Sequence, residues 1–180
     1  IYQQSEKKYP ILMVYYMRIF PHYYFTTVAE IPISLFREKG IKGIAIDIDN
    51  TLTADGEFGI EPTTLDWLNA IKQSGITLAI ISNNHPERVE PFANMIDLPF
   101  ICNSSKPSAR NKDRLLALLN TKSDTTAMIG DQLFTDMLFA YRCRFLSILV
   151  EPIGEDKHRG ATIKRFFEKP VTAIMKRRII

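Results

Sequence analysis

Asp47 and Asp49 stand two residues apart at the end of the apolar run Ile44-Ala45-Ile46, with Ile48 between them. Side chains two apart on a strand share a face, so extended backbone here brings two carboxylates together. Like charges so close repel, and burying them unpaired is costly, so the arrangement asks for a positive partner. Other polar groups take comparable places: Ser82-Asn83-Asn84 follow the apolar run 76–81, Asp131 follows Thr126–Gly130, and Lys106-Pro107 stands where a loop gives way to a helical pattern. Oxygen ligands without histidine or cysteine suit a hard cation, Mg²⁺ foremost. Such a cation answers the repulsion and also draws in an oxyanion such as a phosphate. Lys106 adds a second positive charge, Ser82 a hydroxyl donor, and the turn after Asp49 free backbone N–H groups. Together these can stabilise charge developing on phosphoryl oxygens. One aspartate can attack phosphorus to give an aspartyl-phosphate, while the other protonates the leaving oxygen and then activates water.

Short apolar strands alternating with helices must position these groups. Strands are expected at 41–49, 76–81, 100–102, 126–130 and 145–150. Helices are expected at 62–74, which opens on Pro62 and ends at Gly75, at 85–96, from Lys106-Pro107 through Leu115, Leu116, Leu118 and Leu119, and at 132–142. This rhythm predicts an α/β fold, a central parallel sheet covered on both faces. Ligands of such sheets bind beyond the carboxyl ends of the strands, where every polar interruption falls. The chain divides into an N-terminal arm with a first helix packed on the core (1–40), a core (41–152) and a basic tail (153–180).

DIDNTLT at 47–53, ISNN at 81–84, Lys106 with Pro107, and GDQLFTD at 130–136 resemble the four ordered motifs of haloacid dehalogenase (HAD) superfamily phosphatases. The fuller pattern IKGIAIDIDNTLT is similar to the YqeG-type subfamily III, related to the eukaryotic phosphatidylglycerophosphate phosphatases, whose DKDN is DIDN here. The resemblance covers roughly 30–155 and implies a three-layer, Rossmann-like fold. It implies Asp47 as nucleophile, Asp49 as general acid/base, Ser82 on the phosphoryl group and Lys106 neutralising its charge. Asn50, Thr51 and Asn83 join Ser82 and Lys106 as phosphate-binding candidates. Mg²⁺ is expected on Asp47, Asp131 and the Asp49 main-chain oxygen, with Asp136 supporting the metal shell or Lys106. HAD enzymes often carry a cap domain, but only 54–61 separates the first motif from the next helix, room for a small flap turning at Asp55-Gly56. An uncapped site admits bulky substrates, such as a lipid head group, and needs another means of excluding water, such as a neighbouring subunit.

The net charge is +3, yet residues 161–180 set six cations against Glu168 for a net +5, leaving the remainder at −2. With basicity confined to the tail, no nucleic-acid partner is expected. Cys102 and Cys143 lack paired-ligand spacing, which fits a reducing intracellular setting, cytoplasmic or at the inner face of a membrane. The run ILMVYYM at 11–17 is too short to span a bilayer, and a leader preceding Ile1 stays open. The aromatic stretch at 9–25 suits core packing, a dimer contact or an interfacial membrane contact. The tail's Ile163, Phe166, Phe167, Ile174 and Met175 among cations suit an anionic membrane surface, or a solvated end broken at Pro170. His22, His85 and His158 share no site, though His85 follows ISNN at the substrate edge. The leading expectation is a Mg²⁺-dependent phosphatase acting on phosphatidylglycerophosphate. The rivals are a phosphatase of a soluble nucleotide or sugar phosphate, a phospho-receiver domain and a non-catalytic scaffold.

Overall fold

The computed structural model describes residues 20–154. The expectations for residues 1–19 and for 155–180, including His158, fall outside these. Six parallel strands form one sheet: β1 (Tyr23–Phe25), β2 (Gly43–Ile46), β3 (Thr77–Ile81), β4 (Phe100–Ile101), β5 (Thr126–Gly130) and β6 (Leu146–Val150), ordered β1-β6-β5-β2-β3-β4. Strand β1 comes from the segment expected as an arm. It pairs with β6, Tyr23 opposite Ile148, and extends the sheet by one strand that the sequence pattern did not reveal.

The helices are α1 (Ile33–Glu38), α2 (Pro62–Gln73), α3 (Pro86–Met95), α4 (Lys112–Leu119) and α5 (Leu138–Cys143). Alternation along β2 sorts its residues between two layers. Ile44, Ile46 and Ile48 pack with Phe36 of α1, Trp67, Leu68 and Ile71 of α2, and Phe92 of α3. Ala45 faces the other way, onto Leu115 and Leu119 of α4 and Phe139 and Cys143 of α5. This is the three-layer α/β architecture expected, and its continuous apolar strands reflect burial on both faces.

After β2 the chain builds outward through β3 and β4, then returns to the opposite side of β2 for β5 and β6. The order therefore reverses between β2 and β5, where loops diverge and leave a crevice. Asp47 and Asp131 follow those two strands immediately.

Candidate active site

Strand β2, Gly43–Ile46, is shorter than the expected 41–49. Asp47 keeps one sheet bond, its N–H donating to Ile129 O at 3.0 Å. The chain then folds into a tight turn: Thr51 N and Leu52 N both donate to Ile48 O, and Asn50 adopts a left-handed φ of 60°. The two acids consequently part company. Asp47 turns into the crevice, while the Asp49 carboxylate faces α3 and the flap. Each has its own cation.

For Asp47 that cation is Lys106, whose side chain is only 2% exposed. Its Nζ donates to Asp47 Oδ1 at 2.9 Å and to Ile81 O at 2.8 Å, and pairs with Asp136 Oδ1 at 2.7 Å. Two of its three ammonium protons are thus spent on Asp47 and the Ile81 carbonyl, while Asp136 Oδ1, which accepts no hydrogen bond among the described residues, balances it as a close ion pair. Burial pulls this ammonium down, yet Asp136 and Asp47 outweigh it and hold it above the ordinary lysine range. Burial, the largest influence, pushes the Asp47 carboxyl up to about 7 against the pull of Lys106, with Asp136 and then Asp49 adding to the rise.

Asp131 closes the crevice from β5 and accepts from Thr51 Oγ1 at 3.3 Å. Asp136 enters from a π-helical turn at Leu133–Met137, a rare form that is frequent at functional sites, in place of the regular helix expected from 132. Its Oδ2 accepts from Gln132 N at 3.1 Å. Gly130 makes room for it: a Cβ there would come within 2.6 Å of Asp136 Cβ and overlap the carboxyl group. One oxygen each from Asp47, Asp131 and Asp136 lie within 4.8 Å of one another, all three residues buried. Full ionisation of these three carboxylates beside the single charge of Lys106 would leave an excess of negative charge in a buried place. An all-oxygen set with that excess fits a hard divalent cation.

Ser82 directly follows β3, is buried, and accepts from Asn84 N at 3.1 Å; its own hydroxyl proton has no acceptor among the described residues, so it is free for an incoming oxyanion. The Asn83 amide is committed elsewhere. Oδ1 accepts from Lys106 N at 2.7 Å and Ser104 Oγ at 2.8 Å, and Nδ2 donates to Lys106 O at 2.9 Å. Expected at the phosphate, this side chain instead frames the loop that carries Lys106. That loop continues through a 3₁₀ turn at Ala109–Asn111, and α4 begins at Lys112 rather than at Pro107. Asn50 similarly engages backbone, its Oδ1 accepting from Gly154 N at 3.1 Å and its O from Ile153 N at 3.1 Å. His85 is the residue preceding α3, with its ring outside the carboxylate cluster.

Arg88 was not anticipated. Its Nε and Nη2 donate to Asp49 Oδ1 at 3.1 and 2.7 Å, and Asn84 Nδ2 donates to Oδ2 at 2.6 Å. A signal existed: Arg88 lies in the first turn of α3, where a cation opposes the helix dipole and needs a local anion. The flap turns as expected at Asp55-Gly56, with Glu57 N donating to Ala54 O at 2.9 Å and Gly56 at φ 76°, a conformation that favours glycine.

Residues 6–153 match the family described as mitochondrial PGP phosphatase. The chain belongs to that family. It is 32% identical over 142 residues to "Probable phosphatase YqeG" of Bacillus subtilis, covering 79% of this chain and 83% of that protein. Phosphatidylglycerophosphate phosphatase 1, chloroplastic/mitochondrial, of Arabidopsis thaliana is 26% identical over 145 residues, 76% of this chain but 42% of that longer protein. The fold is shared with an uncharacterized protein from Listeria monocytogenes serotype 4b (TM-score 0.55, 16% identity, 66% of this chain and 85% of that one). It is shared also with NagD from E. coli K-12 (TM-score 0.52, 13% identity, 64% and 90%). This member of the PGP phosphatase family is thus a HAD-type phosphatase, as the four motifs implied. No helix among the described residues is long and apolar enough to cross a membrane.

Proposed function

We propose that the chain hydrolyses phosphatidylglycerophosphate through a phosphoenzyme on Asp47 with Mg²⁺ as cofactor. The observation that carries the chemistry is the buried cluster of Asp47, Asp131 and Asp136 around Lys106. Asp47, Asp131 and the Asp49 main-chain oxygen would hold the ion, with Asp136 supporting it and anchoring Lys106. Bound Mg²⁺ supplies Lewis-acid polarisation of the phosphoryl oxygens and offsets the charge between Asp47 and its substrate.

The remaining work belongs to the chain's own groups. The Ser82 hydroxyl and the N–H groups of Ile48 and Asp49 hold the phosphoryl oxygens, since those of Asn50, Thr51 and Leu52 already donate within the turn. An Asp47 carboxylate oxygen bonds to phosphorus as the ester P–O bond breaks, and Asp49 gives a proton to the departing alkoxide. Asp49 then takes a proton from water as water attacks phosphorus, and the Asp47–phosphorus bond breaks. Lys106 stays in place as a fixed charge, and Asn83 holds its backbone.

Two features support a lipid substrate: the family match over most of the chain, and a site mouth with no cap among the described residues. Phe58 on the flap and Ile153 beside the Asn50 turn are both exposed large apolar side chains at that mouth, suited to contact with acyl chains or interface. The test compares Mg²⁺-dependent turnover of phosphatidylglycerophosphate in mixed micelles with turnover of soluble nucleotide and sugar phosphates. The lipid should win by at least tenfold in kcat/KM. Preference for the soluble panel would remove the lipid assignment and leave the chemistry standing.

A further inference from the structure

The chemistry above leaves Arg88 without a task, although it is among the most constrained side chains at the site. Asp49 Oδ1 accepts from Gly56 N at 3.0 Å, Arg88 Nε at 3.1 Å and Arg88 Nη2 at 2.7 Å. A carboxylate oxygen offers two lone-pair directions, so three donors saturate it. Oδ2 accepts from Asn84 Nδ2 at 2.6 Å and keeps a second direction open among the described residues. The two oxygens of Asp49 are therefore unequal before any substrate arrives.

The guanidinium that creates this inequality is itself pinned. Its Nη2 also donates to Glu57 O at 2.7 Å, and its central carbon lies 4.8 Å from the Phe58 ring centroid and 5.2 Å from that of Phe92. Phe92 is fully buried, so one wall of this clamp is the core itself. Arg88 thus joins three segments: the turn after β2, the flap and α3. A planar fork can do this; a lysine, a point charge on a flexible stem, cannot hold the same plane.

We propose that Arg88 is the positioning residue for proton transfer: by occupying Asp49 Oδ1, it leaves Oδ2 to exchange the proton with the leaving oxygen. The proposal rests on the phosphatase chemistry assigned to Asp47 and Asp49. In the first half-reaction the bond from Asp47 to phosphorus forms, the ester P–O bond breaks, and the alkoxide's electron pair takes the proton from Oδ2. In the second, water's oxygen bonds to phosphorus, its proton returns to Oδ2, and the Asp47–phosphorus bond breaks. Only the first step discriminates between leaving groups. An alkoxide requires the proton as it departs, whereas p-nitrophenolate is stable without one.

The test measures kcat/KM, which covers the steps through ester cleavage, in Mg²⁺ buffer for the wild type, Arg88→Lys and Arg88→Ala. The substrates are an alkyl phosphomonoester (phosphatidylglycerophosphate in mixed micelles, or glycerol 3-phosphate) and p-nitrophenyl phosphate. Arg88→Ala should lose about 10²-fold or more on the alkyl ester. On the aryl ester it should lose less than about a tenth as much, with Arg88→Lys between the two. Equal losses on both esters would overturn the proposal in favour of a structural role. A loss confined to KM would overturn it in favour of direct substrate contact. If Arg88→Ala does not fold, Arg88→Lys and Arg88→Gln report the same ratio. A wild type inert toward both esters would bring down the phosphatase reading itself, a result separate from an unchanged ratio in an active enzyme.

Discussion

Lys106 spends two ammonium protons on Asp47 and the Ile81 carbonyl and is ion-paired with Asp136 before a substrate arrives. Its contribution to a reacting phosphoryl group is then mainly the field of a fixed, dry charge, worth more there than in water. A charge can act this way only if it does not move, which gives Asn83 its importance. The Asn83 amide brackets Lys106 by accepting from its N–H and donating to its C=O. Asn83→Ala leaves those buried groups unpaired, at about 1–3 kcal/mol of stability each. We expect kcat to fall by up to about 10²-fold from misplacement of Lys106, with KM within a few-fold of wild type. Steady-state kinetics decide between the two uses of this amide, because an Asn83 that bound phosphate directly would show its loss in KM.

At the scale of elements, the site depends on where strands stop and how the next turn is wound. The π-helical turn after β5 brings Asp136 back against the strand, and only a hydrogen on Gly130 fits beneath it. Gly130→Ala should destabilise by about 1–3 kcal/mol, a typical overpacking cost. It should also depress turnover, since Asp136 must move away from Lys106; a melt and a rate on the same sample would reveal both effects. The sequence made the element types and the three polar strand ends, after β2, β3 and β5, legible because buried parallel strands read as apolar runs and their ends as abrupt polarity. It did not show that β2 stops at Ile46, because Ile48 is as buried as Ile46 and continues the apolar run while the backbone has already turned. The framing role of Asn83 was also hidden, as was the pairing of Arg88 with Asp49, for which the sequence offered only a cation in the first turn of α3. Both depend on contacts across 23 and 39 residues of chain, which no local spacing encodes. Strand β1 is three residues long and half-buried, too short for its alternation to be read.

For the whole molecule, the reversal of strand order between β2 and β5 gathers carboxylates from two strands and one turn into a buried cluster with surplus negative charge. Without a metal, the Asp47 carboxyl is raised from 3.8 to about 7, chiefly by burial. The folded state then holds this proton more tightly than the unfolded chain, so this group costs stability as pH rises through that window. In EDTA, the Tm of the wild type relative to Asp47→Asn should therefore fall between about pH 5 and about pH 8. Mg²⁺ requires the deprotonated carboxylate, so its stabilisation should be larger at the higher pH. At about 100 times its Kd it should add ~2.7 kcal/mol, roughly 5–10 °C in Tm for a chain of this size. Equal Mg²⁺ shifts at both pH values would argue against Asp47 as a ligand. The central claim, a phosphoryl group carried on Asp47, is tested most directly by acid-quenching turnover of a phosphomonoester in Mg²⁺ and mapping the phosphorylated peptide by mass spectrometry. The wild type should carry one added phosphoryl mass on the peptide containing Asp47, and Asp47→Asn should carry none and hydrolyse nothing while remaining folded; undiminished hydrolysis by Asp47→Asn would contradict the account.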